Sequence, residues 1–408
     1  MWAALVLGLL AASPAKVVVL GGTGRIGTAC AAHLLRAADV PLALTLAGRD
    51  ASRGEAAVAE VTRETPGTRG TVAWSSCDLG DERALAELID GAAALVHTAG
   101  PFDADPAVLR AAIRARVPAY VDVADPLGYI DTARRELSEP ARAAGTHAVI
   151  AAGAFPGLSN LLAMETASRL GEPVKDLDFS YFTAGLGGAG EVNLRITNKG
   201  FGDEVGTWRA GRPAPSLIGG TRLRTVDYFL STDDPSASRV GSQPVWAWPF
   251  PEVSTVAAEL GISGDSSTGM GTAPQLWNVI IEALVSAVPR RWWSDYPRWS
   301  NGLATFSRPL VAITDPFVGE THAMRVDVRG ESGRAASAVH AHESFRRVVG
   351  GCAAEFVLGM MRQAADGVSA GGVCTPEQLP TGARAELLRR MLALDGTLNW
   401  GVTTTDRQ

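Results

Sequence analysis

Val17-Val18-Val19-Leu20-Gly21-Gly22-Thr23-Gly24-Arg25-Ile26-Gly27 is the stretch that decides the fold. Four apolar residues, three of them β-branched, read as a buried strand. The glycines that follow have the G-x-G-x-x-G spacing, and helix-period apolar positions continue from Ile26 to Ala38, so the strand turns straight into a helix. Gly22 permits the tight turn, Gly24 lets a pyrophosphate approach the backbone, and Gly27 lets the helix pack close to the strand. The first N–H groups of that helix and its positive dipole end point at the same place. Gly22, Thr23, Gly24, Arg25, Ile26 and Gly27 are therefore the candidate phosphate-binding turn of a dinucleotide site.

Working outward, apolar runs recur at Leu42 to Leu46, Val72 to Trp74, Ala94 to His97, Tyr120 to Val123 and Ala148 to Ala151, with helical-period segments such as Arg83 to Ile89 between them. Continuous apolar strands alternating with helices predict a Rossmann-type, doubly wound parallel sheet over residues 16–153. Beyond Gly153 the pattern alternates, at Asp178 to Thr183, Thr225 to Leu230, Met324 to Val328 and Ala336 to His342, between Gly-, Pro- and Ser-rich loops. Residues 154–344 read as an α+β domain with a mixed or antiparallel sheet, crossed by a helix from Gln275 to Val288. Residues 345–408 read as C-terminal helices, about Phe345 to Gln363 and Arg384 to Leu394, packing back on the first domain.

A second match to the glycine pattern, Gly185-Leu186-Gly187-Gly188-Ala189-Gly190, is followed by strand-like alternation from Glu191 to Ile196 and has no helix start. It is rejected as a dinucleotide site and read as a glycine loop beside the substrate cleft.

With a net charge of -6 over 408 residues there is no basic field for a polyanion, which excludes nucleic acid as a partner. Lysine occurs only at 16, 175 and 199, and Lys199 reads as a solvated loop residue. Cys30, Cys77, Cys352 and Cys374 show no CxxC spacing and read as reduced thiols. Met1 to Ala15 is apolar with small residues resembling a cleavage site, but it lacks a basic start and is too short to span a bilayer. It reads either as a signal-like segment feeding an organelle or as a hydrophobic flap on the fold.

The second strand ends Ala47-Gly48-Arg49. A carboxylate there would hold the ribose diol of NAD, whereas a guanidinium suits the 2′-phosphate of NADP. Arg49, helped by Arg25, therefore favours NADP(H), with Asp50 pointing to solvent. Asp78 is placed to flank the adenine, or else caps a helix. Ala99, Gly100, Pro101 and Phe102 follow the fourth strand, at the edge where the nicotinamide end lies, and Phe102 is a candidate substrate contact. None of the five tyrosines begins a Tyr-x-x-x-Lys motif, so another group must move the proton in any hydride transfer. Asp122 and Asp125 are the candidate acids, with helix capping as the alternative. Ser159, Asn160, Tyr181 and Thr183 are candidate substrate contacts, although Ser159 and Asn160 also suit a helix N-cap. His340 and His342 share one strand face without a third ligand nearby, so no metal is expected.

GGTGRIG, AGR, HTAGPF, YVDVAD, GAFPGLSN, FSYFTAGLGGAG, GTAPQLWN, GETHAMRVDV and GVCTPE together resemble the saccharopine dehydrogenase-like oxidoreductases, from about Lys16 to Glu377, and the later motifs are most similar to plastid-type members of plants and algae. The resemblance implies an NADP-binding Rossmann domain, a mixed-sheet domain and a cleft between them. It does not imply saccharopine as the substrate, because the chain lacks an evident positive cluster for a dicarboxylate. The expected function is an NADP(H)-dependent oxidoreductase of a small or hydrophobic metabolite. The alternative is a cofactor-binding sensor or accessory subunit of a larger, membrane-associated assembly. Homo-oligomers fit either expectation.

Four of the ten tryptophans (Trp277, Trp292, Trp293 and Trp299) fall between Gln275 and Trp299, next to Arg290, Arg291 and Arg298. Rings beside arginines suit a membrane surface or a protein partner; packing beneath the second sheet is the other reading.

Overall fold

The computed structural model describes residues 13–185, 200–202, 204–233, 237, 239–293, 296–365 and 371–405. β1 (Ala15–Leu20) is enclosed from Val17 onward and runs directly into the glycine turn and α1 (Arg25–Ala37). The alternation continues through β2 (Leu42–Gly48), α2 (Ala51–Glu64), β3 (Thr71–Ser76), α3 (Glu82–Ile89), β4 (Ala94–His97), α4 (Ala107–Arg114), β5 (Ala119–Asp122), α5 (Leu127–Ala144) and β6 (His147–Val149). These strands are parallel, in the order β3-β2-β1-β4-β5-β6. The order reverses between β1 and β4, and at such a switch the loops leave a crevice at the carboxyl edge of the sheet. At its floor the two loops touch: Gly21 has φ +74°, and a Cβ there would sit 2.7 Å from the Ala99 amide nitrogen.

The helix α6 (Leu158–Leu170) leads into β7 (Val174–Ala184), β8 (Glu204–Arg209), β9 (Arg212–Ile218), β10 (Arg222–Asp227), β11 (Ser242–Ala247), α7 (Glu252–Leu260) and β12 (Ser266–Ala273). Three helices follow, α8 (Leu276–Ala287), α9 (Arg290–Trp293) and α10 (Tyr296–Val318), and then β13 (Thr321–Gly330) and β14 (Ala335–His342). β7 pairs in parallel with β12 and antiparallel with β13, so the second sheet is mixed, as the alternation implies. The apolar core runs continuously from Val17 and Val19 through Leu158 and Leu161 to Phe179 and Met324, which joins the two sheets into one packed body.

After residue 345 the chain holds α11 (Phe345–Ala365) and α12 (Thr381–Leu392), and also two strands absent from the sequence reading. β15 (Gly372–Cys374) pairs with β6 and completes a seven-stranded parallel sheet. β16 (Thr397–Thr405) lines the outer edge of the second sheet beside β14. β15 is too short, and β16 too rich in exposed threonine, to read as a buried strand. α11 lies on α1, where Gly350 makes the approach possible: a Cβ there would be 2.7 Å from the Cys30 nitrogen. Beside this contact His33 Nε2 meets the enclosed Glu355 at 2.7 Å. Burial pushes the Glu355 carboxyl up, yet the His33 hydrogen bond and the charges of His33 and Arg362 outweigh it and hold it down.

Met1 to Ala12, Leu186 to Gly190 of the second glycine run, Glu191 to Ile196 and Lys199 lie outside the described residues, and the readings made on them stay as expectations.

Candidate functional site

Gly24 is the N-cap of α1, in extended backbone, and no side chain caps the helix. Thr28 Oγ1 pins the turn by donating to Gly24 O (2.7 Å) and Gly22 O (3.2 Å). A Cβ at Gly27 would lie 2.4 Å from Gly21 O, and one at Gly22 would lie 2.7 Å from Val19 O. At Gly24 a Cβ would meet one atom, Gly21 O, at 3.1 Å. Gly22 and Gly27 are thus small because the chain itself is in the way. Gly24 is hemmed in by one carbonyl oxygen only, less tightly than Gly22 or Gly27, which fits a phosphate seated on an uncapped helix end.

At the end of β2, a Cβ at Gly48 would strike Thr23 Oγ1 at 2.5 Å, so Thr23 packs there beside the exposed Arg49. Asp50 caps α2, accepting from Arg53 N at 3.0 Å. Its carboxylate serves that turn, and Arg49 is left as the cation at the strand end. Asp78 likewise accepts from Gly80 N at 3.0 Å, within its own loop.

Thr98 anchors the β4 loop by donating to Leu20 O from both its N and its Oγ1, each at 2.9 Å. Ala99, Gly100 and Pro101 therefore border the crevice. Phe102 turns into the corner between β4 and α5, 4.7 Å from the His97 ring and edge-on to Tyr129 at 5.6 Å. Asp122 is wholly enclosed; it accepts from Tyr129 Oη (2.6 Å), Ala151 N (2.9 Å) and Ala124 N (3.1 Å). Burial pushes its carboxyl up against the opposing effect of those donors. By holding the amide of Ala151, whose φ is +58°, Asp122 braces the turn after β6. Asp125 is half-buried just ahead of α5.

That turn carries Phe155-Pro156-Gly157 and opens α6 with Ser159 and Asn160, both enclosed. Each takes a different buried carboxylate. Ser159 Oγ donates to Glu252 Oε1 at 2.9 Å, and Asn160 Nδ2 donates to Glu377 Oε2 at 2.7 Å, while Asn160 Oδ1 accepts from Gly157 N at 2.8 Å. Tyr181 Oη donates to the same Glu252 oxygen at 2.7 Å. Burial pushes the Glu252 carboxyl up to about 7, helped by nearby Glu377 and opposed by the Tyr181 and Ser159 hydrogen bonds. With Oε1 accepting from both, the acid proton belongs on Oε2, which is buried and has no hydrogen-bond partner among the described residues.

Phe155, half-buried, stacks on Tyr181 (4.6 Å) and on His322 (4.7 Å), with Phe250 and Phe345 around it. Thr183 Oγ1 lies 3.4 Å from His322 Nδ1, and burial first, then His340 and His342, hold His322 well below the usual histidine range. No group of three or more ligating side chains among the described residues is arranged to hold a metal.

The structure thus gathers Ser159, Tyr181 and Thr183 around Phe155 at the carboxyl edge. It keeps Asp122 inside the sheet and leaves Arg49 and Asp78 after β2 and β3, on the other side of the sheet from β6. Glu252, Glu377 and His322 escaped the sequence reading. Glu377 lies in the quoted GVCTPE run, but Glu252, the first helical residue after Pro251, looks in sequence like any solvated helix start.

Residues 17–149, which span β1 to β6, match the family model described as the saccharopine dehydrogenase NADP binding domain. Over these residues the first domain is similar to NADP-binding domains of that type. The chain is 29% identical to the spectinabilin polyketide synthase system protein NorA' of Streptomyces orinoci over 56% of its own length and 7% of that protein's. Among solved structures, an engineered D-amino acid dehydrogenase bound to NADP+ is 13% identical, with 91% of this chain and 96% of that one covered at a TM-score of 0.42. A short-chain oxidoreductase of Pseudomonas aeruginosa PAO1 is 20% identical, covering 33% of this chain and 69% of that one at a TM-score of 0.28.

Proposed function

We propose that the chain is an NADP(H)-dependent oxidoreductase of a small, largely apolar substrate, and that Glu252 and Tyr181 handle its proton. When bound, the nicotinamide supplies or accepts a hydride, and a proton must move with it. The observation that carries the proposal is the pairing of Glu252 with Tyr181: a wholly buried carboxyl held near neutrality, hydrogen-bonded to a tyrosine that stacks against Phe155. A group with that balance can hold a proton at physiological pH and also release it. In that role Tyr181 Oη turns its hydrogen from Glu252 Oε1 to a substrate atom seated at Phe155, and the Glu252 carboxyl, then carrying its proton on the oxygen that faces Tyr181, gives that proton to the phenolate and is left as the carboxylate. Gly24 and the α1 N-terminus hold the pyrophosphate, Arg49 the 2′-phosphate, and Ala99 to Pro101 border the nicotinamide end. The aromatic walls of Phe155, Phe250 and Phe345 suit an apolar body better than a dicarboxylate.

The complete enclosure of Glu252, Tyr181 and Ser159 favours one competing reading, a cofactor-binding protein that does not turn over. Oxidation of NADPH in the presence of a panel of aliphatic and aromatic ketones, aldehydes and imines separates the two. Turnover that is lost in Gly24→Val and falls at least about tenfold in Tyr181→Phe supports the enzyme. Tight NADPH binding without oxidation of any carbonyl or imine in the panel supports the sensor.

A further inference from the structure

α8 and α10 leave an apolar face uncovered. On its inner side α8 packs Ile281, Leu284, Val285 and Val288 against the core, as a helix on a sheet should. Its outer side carries Leu276, Val279, Ile280 and Ala283, the i, i+3, i+4, i+7 spacing of a second apolar stripe, with Leu276 63% exposed. A helix apolar on both faces normally has a partner on both. α10 repeats the pattern: Phe306, Leu310, Ile313 and Phe317 fall on one face at steps of four, three and four, and Phe306, Ile313 and Phe317 are 72, 64 and 86% exposed. The two helices are neighbours, tied by Trp277 Nε1 donating to Thr314 Oγ1 at 3.4 Å. Of the two adjacent tryptophans, Trp293 turns inward over Gly202, whereas Trp292 remains half-exposed against Trp299.

From this surface we infer that α8 to α10 form a docking face for an anionic lipid bilayer, lying in its headgroup layer rather than crossing it. Charge decides between lipid and other occupants. Residues 276–318, the span of α8 to α10, contain four arginines (Arg290, Arg291, Arg298 and Arg308) against Glu282 and two aspartates, a small positive excess in a chain of net charge -6. All four arginines are on the exposed surface; Arg290 lies 3.5 Å from Glu204, in a solvent-exposed pair. Arg290, Arg291 and Arg298 adjoin the tryptophans Trp292 and Trp299 in the chain, and guanidinium groups next to apolar surface suit headgroup phosphates; Arg308 lies on the side of α10 away from its apolar stripe. A second copy docking through the same patch would bring its own arginine rim against this one. The stripe runs along the helix, with Phe306 and Phe317 about 16 Å apart at 1.5 Å per residue, which fits a helix lying flat. Pro309 and Pro316 cannot donate to the carbonyls of residues 305 and 312, and water in the headgroup layer can satisfy both. No helix among the described residues is long and apolar enough to cross a membrane.

The test is flotation of the full chain with phosphatidylcholine vesicles, with and without phosphatidylglycerol, at low and high salt. Wild type should float with the phosphatidylglycerol vesicles and much less with phosphatidylcholine alone. The Phe306→Ser, Phe317→Ser variant should partition about tenfold less or worse, because two exposed apolar anchors are removed without touching the core. The Arg290→Glu, Arg291→Glu variant should lose the preference for anionic vesicles, and high salt should weaken the wild type in the same way. Wild type that stays unbound with both vesicle types overturns the inference. So does a wild-type dimer, by light scattering, that the Phe306→Ser, Phe317→Ser variant converts to monomer, since the face would then belong to a second copy.

Discussion

Replacing Glu252 with glutamine should make the stability of the chain respond differently to pH. The folded protein holds this carboxyl at about 7 against an ordinary 4.5, chiefly through burial. At about 1.36 kcal/mol per pKa unit the difference is worth about 3 kcal/mol. Because the folded value is raised, the protonated form is the one the fold prefers. That contribution is present in full below pH 4.5 and is lost as pH rises to about 7. The glutamine amide would keep an oxygen for Ser159 and Tyr181 to donate to and cannot ionise. Wild type and Glu252→Gln should therefore match near about pH 4, and the variant should be more stable by about 3 kcal/mol near about pH 8. His97, His322 and His340 are buried with depressed values, so what they contribute is lost in acid instead, but equally in both proteins. The measurement is the urea midpoint by tryptophan fluorescence; eight of the ten tryptophans lie beyond residue 204, in the same half as Glu252. A difference between the two proteins that stays flat from about pH 5 to about pH 8 would refute the reasoning, because Glu252 would then be an ordinary carboxylate at neutral pH and no proton store.

Arg49→Asp should weaken NADPH binding about a hundredfold while leaving NADH within a few-fold, since it sets a repelling charge where the 2′-phosphate lies; equal losses in a calorimetric titration would remove Arg49 from the site. Gly24→Val should abolish binding of both cofactors with the melting temperature nearly kept, whereas Gly27→Ala should destabilise the chain by a few kcal/mol, because its Cβ would sit 2.4 Å from Gly21 O. Circular dichroism melts beside the titrations separate these two outcomes, and a Gly24 variant that unfolds would show that the space at Gly24 is needed by the chain itself. Asn160→Ala should cost about 2 to 4 kcal/mol in urea denaturation, because Glu377 Oε2 loses its donor while remaining buried; a cost below about 1 kcal/mol would mean that the Glu377 carboxyl finds another partner.

What the sequence discloses and what it hides divide along physical lines. The parallel sheet was legible because strands buried on both faces cannot avoid long apolar runs, and because the glycine turn compresses three steric demands into six residues. The Cβ contacts at Gly22 and Gly27 show two of those demands, the tight turn and the close helix packing. β15 and β16 were not legible because an edge strand is defined by its neighbour, β6 or β14, and not by its own pattern. The same limit governs the site. Ser159 and Asn160 stood out as polar residues opening an apolar helix, and that is where the structure puts them. Their counterparts lie 93 and 217 residues further along the chain. Nothing local marks Glu252 as buried: its proline-preceded, helix-starting position is where solvated glutamates are common. Burial comes from β7, which brings Tyr181 over it, and from the turn that Asp122 braces, which brings Phe155 over Tyr181. Asp122 therefore bears on the chemistry at one remove, as the residue that fixes the turn. A single carboxylate in a strand can be seen in the sequence, but whether it meets solvent, substrate or its own backbone is decided by parts of the chain that periodicity does not connect.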